Sequence, residues 1–378
     1  DTRYVEEAAR EVAEGLMPGR TYTIVVKSTV PIGSNRRVAH VVTRVLAQRG
    51  VEADIHFASN PEFLREGFAL YDTFYPDRIV VGTESEAALR AMEELYGPII
   101  EQTFEPPASV PVPDERKKPP LVATDPTSAE MIKYASNAFL ATKISFANEI
   151  AGLCERVGAD VVEVTRGMGL DSRIGPRFLG AGLGWGGSCF PKDTAALLAL
   201  AGEYGYVMPI TQAAREVNAQ QRRIAVEKLQ EALKVLRGRT IGVLGLAFKP
   251  GTDDIRESAA IEIIRLLAER GAHVKAHDPV AVENARRVLA DIEVEFVDDP
   301  YELAQGCDGI VLATEWDIYR ALDLAKLAAS MRLPVLVDGR NVYDPEEARK
   351  AGFTYLGIGR PVSHVEAERR PASAVMGA

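Results

Sequence analysis

The amino-acid sequence predicts an α/β fold with two doubly wound parallel-sheet domains, the first incomplete, joined by a long central helix and a helical middle domain. Three observations predict it. Short β-branched segments alternate with amphipathic helices near both ends of the chain, which is the pattern of parallel sheets covered by helices. A single helical pattern of about 30 residues lies between them. The chain has 378 residues, 47% of them hydrophobic, which is enough for two or three domains.

The first region, residues 1–124, opens with a helical pattern and then alternates strand and helix. The predicted helices are 2–14, 34–49 and 84–96, and the predicted strands are 22–26, 54–58 and 78–81. Six prolines between 103 and 120 break the alternation, because proline cannot donate to a strand ladder, and they predict an exposed loop.

The second region, residues 125–220, begins with the long helix. Asp125 followed by Pro126 is a good start signal, and Glu130 completes a capping box with Thr127. Such a length suggests a bridge between domains, and we expect its apolar face to pack against a second copy of the chain.

The third region, residues 238–360, predicts a second doubly wound domain, so that both sheets would be Rossmann-like. Its predicted strands are 240–244, 273–276, 294–297, 309–312 and 335–337, with a helix at 260–270. The tail, 361–378, has little periodicity and is expected to be flexible.

Composition excludes several classes of protein. Asp and Glu outnumber Lys and Arg by 54 to 44, giving a net charge of −10, which disfavours a nucleic-acid partner. The apolar runs are too short to cross a membrane. The three cysteines are widely spaced, so they predict neither a disulfide framework nor a metal site, and they fit a cytoplasmic protein.

A glycine-rich segment, 180–187, contains the letters of a dinucleotide fingerprint, but it follows a helical pattern rather than a strand. We interpret the match as false and expect its glycines to let a ligand approach the backbone closely. The turn at Gly245 does follow a strand, at the sheet edge where α/β proteins bind ligands.

Cys189 is the candidate nucleophile, because a nearby cation such as Lys192 favours the reactive thiolate. A small buried hydrophobe is the alternative for any lone cysteine, and we adopt it for Cys154 and Cys307. Lys133 and Asn137 lie four apart and share a helix face, which could also be a solvent-facing stripe.

Seven segments together make a far more specific pattern, and their order along the chain resembles the UDP-glucose 6-dehydrogenase family, within the NAD-dependent nucleotide-sugar dehydrogenases. They are Lys27-Ser-Thr-Val-Pro31, Ser59-Asn-Pro-Glu-Phe-Leu-Arg-Glu-Gly67, Glu130-Met-Ile-Lys-Tyr-Ala-Ser-Asn137, Gly186-Gly-Ser-Cys-Phe-Pro-Lys-Asp193, Phe248-Lys249, Asp253-Asp-Ile-Arg-Glu-Ser258 and Asp338-Gly-Arg340. The resemblance covers roughly residues 1 to 360.

The resemblance implies a two-step oxidation by NAD, in which Cys189 carries a thiohemiacetal and then a thioester. Lys133 and Asn137 would stabilise the charge on the reacting oxygen, Glu62 would act as acid and base, and Asp193 with Thr29 would position the hydrolytic water. The implied UDP-glucose contacts are Phe63, Leu64, Arg65, Phe178, Leu179, Gly182, Gly184, Trp185, Gly186, Phe248, Lys249 and Arg340, with Arg173 reaching the substrate of a neighbouring subunit. The implied NAD contacts are Ser28, Thr29, Val30, Glu66, Lys192 and Arg256, and no metal is implied.

One departure from the family is large. Its members open with a strand and a true glycine fingerprint, whereas this chain opens at Asp1 within a helical pattern. We therefore expect an amino-terminally truncated chain that could be inactive. Two alternatives stay open: a related dehydrogenase acting on GDP-mannose or a UDP-N-acetylhexosamine, and a non-catalytic UDP-sugar-binding module. The expected assembly is a homodimer or a higher homo-oligomer.

Overall fold

The computed structural model describes residues 3–361. The chain forms two compact units, Asp1–Ser136 and Asn137–Ala378. No helix among the described residues combines the length and apolarity that crossing a membrane requires.

Unit 1 is a four-stranded sheet in the order β1-β2-β3-β4 with helices packed on it. Its elements are α1 (Arg3–Gly15), β1 (Thr21–Val26), α2 (Ser34–Arg49), β2 (Asp54–Ser59), α3 (Ala69–Phe74), β3 (Ile79–Gly82), α4 (Glu86–Glu101) and β4 (Leu121–Thr124). All six elements predicted for this region are confirmed, with ends shifted by a few residues. β1–β2 and β3–β4 pair in parallel, but β2 meets β3 through a single antiparallel pair, Ser59 opposite Gly82.

β4 was not predicted. It is four residues long, follows Pro119 and Pro120, and pairs only with β3 at the edge of the sheet. Proline is compatible with the start of an edge strand, because its nitrogen needs no ladder partner there. The proline-rich segment 103–120 has no helix or strand, as predicted.

The long helix α5 (Pro126–Val157) spans 32 residues and confirms the predicted central helix. Asp125 accepts a 2.9 Å hydrogen bond from the Ser128 backbone N–H, so the predicted start signal operates. Large apolar side chains of α5 are exposed. Four of them recur at intervals of seven and four residues and so form an apolar stripe of Phe139, Phe146, Leu153 and Val157.

Unit 2 contains a helical part followed by a six-stranded, all-parallel sheet in the order β10-β9-β8-β5-β6-β7. The helical part holds α6 (Val161–Gly169), α7 (Phe190–Glu203) and α8 (Pro209–Leu233). The sheet region holds β5 (Thr240–Leu244), α9 (Ala259–Glu269), β6 (His273–His277), α10 (Val282–Val288), β7 (Val294–Phe296), α11 (Pro300–Ala304), β8 (Gly309–Leu312), α12 (Asp317–Arg320), α13 (Leu324–Ser330), β9 (Val335–Asp338), α14 (Pro345–Lys350) and β10 (Thr354–Gly357).

The five strands predicted for this sheet are confirmed, and β10 is an additional edge strand that pairs with β9. The order of the strands reverses at β5, which lies between β6 and β8. Ligands of doubly wound sheets bind beyond the carboxyl ends of the strands at such a switch point. The carboxyl ends of β5 and β8 are therefore where the fold places a ligand.

The chain beyond β10 returns to the helical part of unit 2. Gly359 accepts a hydrogen bond from the Val161 N–H (2.9 Å) and donates one to the Glu155 carboxylate (2.7 Å). Arg360 pairs with Asp160 at 3.0 Å. A side chain at position 359 would clash with Ala151 of α5, so the contact requires glycine.

Candidate active site

A buried ion pair joins two of the predicted catalytic residues within unit 1. The Lys133 ammonium lies 3.3 Å from Glu62 Oε1, and the lysine side chain is only 5% exposed. The other oxygen of Glu62 accepts a 2.6 Å hydrogen bond from the Leu64 N–H, which fixes the carboxylate. Because a buried charge is costly without its partner, Lys133 and Glu62 depend on one another.

Phe63 lies against two cations. The Arg78 guanidinium is 3.7 Å from the centre of its ring and the Lys133 ammonium is 5.3 Å away. Cations over an aromatic face are attracted to its negative quadrupole, so Phe63 helps to hold both groups. Arg78 carried no role in the sequence interpretation. Burial lowers the pKa of its guanidinium.

Arg65 is turned away from that cluster. Its guanidinium forms a two-pronged pair with Asp72, with distances of 2.6 and 3.0 Å, and this hydrogen bonding raises the pKa of Arg65. Leu64 and Arg65 are exposed, and Glu66 is half-buried.

Three of the four predicted NAD contacts of unit 1, Ser28, Thr29 and Val30, line a cavity at the carboxyl ends of β1 and β2, whereas Glu66 is not in its wall. Its lining comprises Val26, Ser28, Thr29, Val30, Ser59, Pro61, Glu130, Lys133 and Tyr134. Its wall presents hydroxyl groups and one ammonium at the edge of a parallel strand pair where α/β proteins bind ligands.

Lys27 has no predicted role beyond its sequence motif, and the capping box predicted for Glu130 is replaced by contacts with α2. The Glu130 carboxylate is buried and accepts backbone N–H groups from Gly33 and Asn35 at the start of α2. Loss of water around the Lys27 ammonium lowers its pKa, an effect that Glu62 opposes and Lys133 reinforces. Glu130 precedes Lys133 by three residues and Asn137 by seven, so it shares their helix face, and this spacing is the signal that could have identified it.

Cys189 lies at the start of α7 in unit 2 and is partly exposed. Its sulfur is 3.6 Å from the Ser188 hydroxyl, and its carbonyl accepts the Asp193 N–H at 2.9 Å. Asp193 is buried, and its carboxylate binds the Asn137 amide at 2.6 Å and the Lys192 ammonium at 2.8 Å. The sequence predicts that the charge of Lys192 acts on the Cys189 thiol, whereas in the structure the Lys192 ammonium pairs with Asp193. Asn137 and Asp193 are both predicted catalytic residues, and the structure places them in contact.

The glycine-rich segment packs closely against other parts of the same chain. A Cβ atom at Gly184 would clash with Asn218, and one at Gly186 would clash with the Glu257 carbonyl. One at Gly182 would lie 2.5 Å from the Gly339 carbonyl. The segment needs glycine because its own chain approaches so closely.

Two buried asparagines, both missed in the sequence interpretation, hold this segment in place. Asn148 of α5 accepts the Gly182 N–H at 2.7 Å, and Asn218 of α8 bonds both the N–H and the carbonyl of Trp185. Amides on buried helix faces are the signal that could have found them, since buried polar groups need partners.

Aromatic side chains surround the beginning of α7. The Phe178 and Trp185 rings lie 6.3 and 6.2 Å from the ring of Phe190, and Leu179 beside them is buried. Phe178 has a positive φ of 64°, a strained conformation for a bulky residue.

Two predicted substrate contacts, Phe248 and Arg340, meet the glycine-rich segment at the carboxyl edge of the large sheet, and a third, Lys249, lies beside Phe248. The Phe248 ring would lie 2.7 Å from a Cβ at Gly187, and the Lys249 ammonium is 5.5 Å from the centre of that ring. Arg340 donates to the Ala313 carbonyl at 2.7 Å and to the Gly184 carbonyl at 3.0 Å.

The Arg256 carbonyl accepts the Gly187 N–H at 2.9 Å, but the guanidinium groups of Arg173 and Arg256 pair with neighbouring aspartates. Arg173 pairs with Asp171 at 2.6 Å, and Arg256 pairs with Asp254 at 2.7 Å. Both guanidinium groups are largely exposed. Within residues 3–361, no group of three or more His, Cys, Asp or Glu side chains could hold a metal ion.

Three family models match the chain. The NAD binding domain of the UDP-glucose/GDP-mannose dehydrogenase family matches residues 1–100, its central domain 127–220 and its UDP binding domain 242–345. The match over residues 1–100 gives no support to the predicted amino-terminal truncation or to the expected inactivity.

Individual proteins are similar over almost the whole chain. UDP-glucose 6-dehydrogenase TuaD of Bacillus subtilis is 45% identical, over 96% of this chain and 73% of its own length. The structure of a UDP-glucose dehydrogenase from Pyrobaculum islandicum is 46% identical, with a TM-score of 0.81 and coverage of 95% and 76%. That of a UDP-D-ManNAc dehydrogenase from Pyrococcus horikoshii is 28% identical, with a TM-score of 0.78 and coverage of 95% and 77%.

Proposed function

Because this chain belongs to the UDP-glucose/GDP-mannose dehydrogenase family, we propose that it oxidises UDP-glucose to UDP-glucuronate with NAD. UDP-glucose is chosen as the substrate because the sequence identity differs between relatives that are named for different substrates. The identity is 45–46% with enzymes named for UDP-glucose and 28% with one named for UDP-D-ManNAc. The overall reaction removes four electrons from the C6 alcohol, consumes one water and reduces two NAD.

Cys189 is the proposed nucleophile of the second oxidation. Its thiolate adds to the C6 aldehyde, a C–S bond forms, and the aldehyde oxygen takes the negative charge of a thiohemiacetal. Loss of hydride leaves a thioester. Water then adds to the thioester carbon, the C–S bond breaks, and the thiolate is restored with release of a carboxylate. A partly exposed thiol at the start of α7 supports this role.

Lys133 and Asn137 are the proposed stabilisers of the oxygen at the reacting carbon. Each brings a preorganised N–H donor: the Lys133 ammonium is buried beside Glu62, and the Asn137 amide is fixed by Asp193. Donors that are already oriented stabilise developing negative charge without a cost of reorganisation.

Glu62 is the proposed acid and base. The Leu64 N–H and the Lys133 ammonium hold its two oxygens, which orients the carboxylate for proton transfer. Asp193 and the Thr29 hydroxyl are the proposed positioning groups for the hydrolytic water. One oxygen of Asp193 accepts the Asn137 amide, which supports a fixed orientation, and the other lies 2.8 Å from the Lys192 ammonium.

NAD, when bound, accepts a hydride in each oxidation. Ser28, Thr29 and Val30 in the unit 1 cavity are its proposed contacts, together with Glu66, Lys192 and Arg256. The UDP-sugar contacts are proposed at Phe248, Lys249 and Arg340, where cationic groups suit a diphosphate. The remaining proposed substrate contacts are Phe63, Leu64, Arg65, Arg173, Phe178, Leu179, Gly182, Gly184, Trp185 and Gly186.

We propose that the chain forms a homodimer or a higher homo-oligomer. The exposed apolar stripe of α5 supports this, because an unpartnered row of large apolar side chains is costly in water. Sedimentation velocity at micromolar concentration should show a dimer or a larger species, and a stable monomer would contradict the proposal. A cytoplasmic location is proposed as well, in keeping with three unpaired cysteines.

The proposed function is tested by the stoichiometry of turnover. The chain should form two NADH per UDP-glucose and release UDP-glucuronate, with much lower kcat/KM for GDP-mannose and for UDP-N-acetylhexosamines. Turnover of one of these competitors in preference to UDP-glucose would overturn the choice of substrate. Binding of UDP-glucose without any NADH formation would favour a non-catalytic binding module.

A further inference from the structure

The turn that follows β5 has every backbone N–H from residue 245 to residue 248 occupied by the protein itself. Gly245 donates to the His277 carbonyl at 2.8 Å, and Phe248 donates to the Asp254 carbonyl at 3.0 Å. Leu246 and Ala247 donate to the same oxygen of Asp278, at 2.7 and 3.1 Å. No amide of this turn is left to bind a ligand.

Asp278 is the residue around which the turn is built. It directly follows β6, the second strand of this domain, and is only 4% exposed. Its second oxygen accepts the N–H groups of Val280 and Ala281, at 2.9 and 2.8 Å. A buried carboxylate with four backbone donors is held in one orientation.

The hydrogen-bond partners of this turn differ from those in a dinucleotide-binding domain. In a dinucleotide-binding domain, the amides of the first turn and the next helix hold the pyrophosphate, and an acidic residue after the second strand binds the ribose. Here the acidic residue after the second strand binds the amides of the first turn. The next helix, α9, begins only at Ala259, and Ser258 both caps it and donates to the Leu246 carbonyl at 2.7 Å.

The loop that contains Trp316 is also hydrogen-bonded to the Asp278 carboxylate. The Trp316 indole N–H donates to Asp278 at 3.1 Å. The segment leading to Trp316 carries the Ala313 carbonyl and the Glu315 carboxylate, which lie 2.7 and 3.3 Å from Arg340 Nε. Asp278 therefore anchors both the turn that leads to Lys249 and the loop that holds Arg340, the two proposed cationic contacts.

We infer that Asp278 is a specificity-determining positioning residue, which stands where a ligand phosphate would otherwise bind. With the turn amides filled by a resident carboxylate, a diphosphate must be held by side chains, and a dinucleotide finds no phosphate-binding turn. The inference rests on the proposed function, since it takes Phe248, Lys249 and Arg340 as contacts of the UDP-sugar.

The test compares Asp278→Asn with Asp308→Asn. Asp308 is a matched control because it is also buried and accepts a backbone N–H from β5, at Thr240, but at the amino end of the sheet. The amide introduced by Asp278→Asn would keep one acceptor oxygen for the four backbone donors and the Trp316 indole. The KM for UDP-glucose should rise about tenfold, because at least two donors lose their acceptor, with kcat and the KM for NAD nearly unchanged. Asp308→Asn should lower Tm and leave both KM values unchanged.

A second variant tests a property that would not change if Asp278 only stabilised the fold, namely inhibition by pyrophosphate. Asp278→Ala frees the Leu246 and Ala247 amides, so inorganic pyrophosphate should inhibit it at lower concentrations than it inhibits the wild type. If Asp278→Asn and Asp308→Asn shift the KM for UDP-glucose equally, or pyrophosphate inhibits Asp278→Ala no better than wild type, the inference is wrong.

Should Asp278→Asn not fold, Trp316→Phe removes one donor to Asp278 and should still raise the KM for UDP-glucose without changing the KM for NAD. A wild-type chain that forms no NADH from UDP-glucose would instead refute the proposed function, and calorimetry with UDP would still test Asp278.

Discussion

Glu130 accepts a 2.6 Å hydrogen bond from the backbone N–H of Gly33, a residue 97 positions earlier in the chain. Its other oxygen accepts the Asn35 N–H at 2.9 Å. The loop that carries Ser28 and Thr29 is thereby tied to the helix that carries Lys133, one turn beyond Glu130. Burial raises the pKa of the Glu130 carboxyl, and the two backbone donors oppose that rise.

Glu130→Gln should loosen this connection, because an amide offers one acceptor to two N–H donors. We expect a loss of about 1–3 kcal/mol in the free energy of unfolding and a several-fold rise in the KM for NAD. Chemical denaturation and steady-state kinetics measure the two effects. Glu149→Gln, an exposed site on the same helix, is the control for loss of charge and should change neither.

Cys189→Ser should abolish net turnover, since an ester forms and hydrolyses less readily than a thioester. The affinity for UDP-glucose, measured by calorimetry, should survive because the proposed contacts Lys249 and Arg340 are untouched. Formation of UDP-glucuronate at near the wild-type rate would show that no covalent step occurs at Cys189.

The other two cysteines should resist alkylation. Burial raises the pKa of Cys154 and raises that of Cys307 to about 12, so both stay thiols near neutral pH. A thiol-directed reagent followed by peptide mass spectrometry should therefore find Cys189 modified first, with protection by UDP-glucose. Cys154→Ser and Cys307→Ser should keep most activity at a modest loss of stability.

Two glycines of the same segment should respond oppositely to alanine. At Gly186 the new methyl group would clash with the Glu257 backbone, so we expect a destabilisation of about 1–3 kcal/mol. At Gly180 nothing lies within 4 Å, and alanine should be neutral or slightly stabilising. Thermal unfolding of both variants checks this, and equal effects would contradict the packing described for the segment.

His277 should make the stability of the chain depend on pH. Burial lowers its pKa below the ordinary value, and the ring is held by the Tyr319 hydroxyl at 2.8 Å and the Asp298 carbonyl at 3.2 Å. The unfolded chain therefore takes up the proton first, and stability should fall as pH drops below about 6.5. His277→Gln should reduce that slope between pH 7 and pH 5, as measured by chemical denaturation, even if it is less stable at pH 8.

The regular elements could be predicted from the sequence because their hydrophobic periodicity is local. β4 and β10 were missed since each has four residues and pairs on one side only, which leaves no long apolar run to detect. The pairing of Lys133 with Glu62 could not be derived from spacing, because it joins a helix to a loop 71 residues away.

The neighbours of the glycine-rich segment could not be predicted for a related reason. A sequence shows that a backbone must be approached closely, but not whether a ligand or the chain itself does so. The contacts of Asn148 and Asn218 with this backbone are visible only in the structure, because each asparagine lies 34 or 33 residues from the amide that it binds.

The attachment of Gly359 to the ends of α5 and α6 bears on how unit 2 comes apart. The last strand of the parallel sheet cannot leave without breaking the hydrogen bonds to Val161 and Glu155 and the Arg360–Asp160 pair. One continuous apolar core also includes Ala151 of α5 and Val337 of β9. The helical part and the sheet should therefore melt in a single cooperative transition, and a protease that cuts between α8 and β5 should leave two fragments that stay associated.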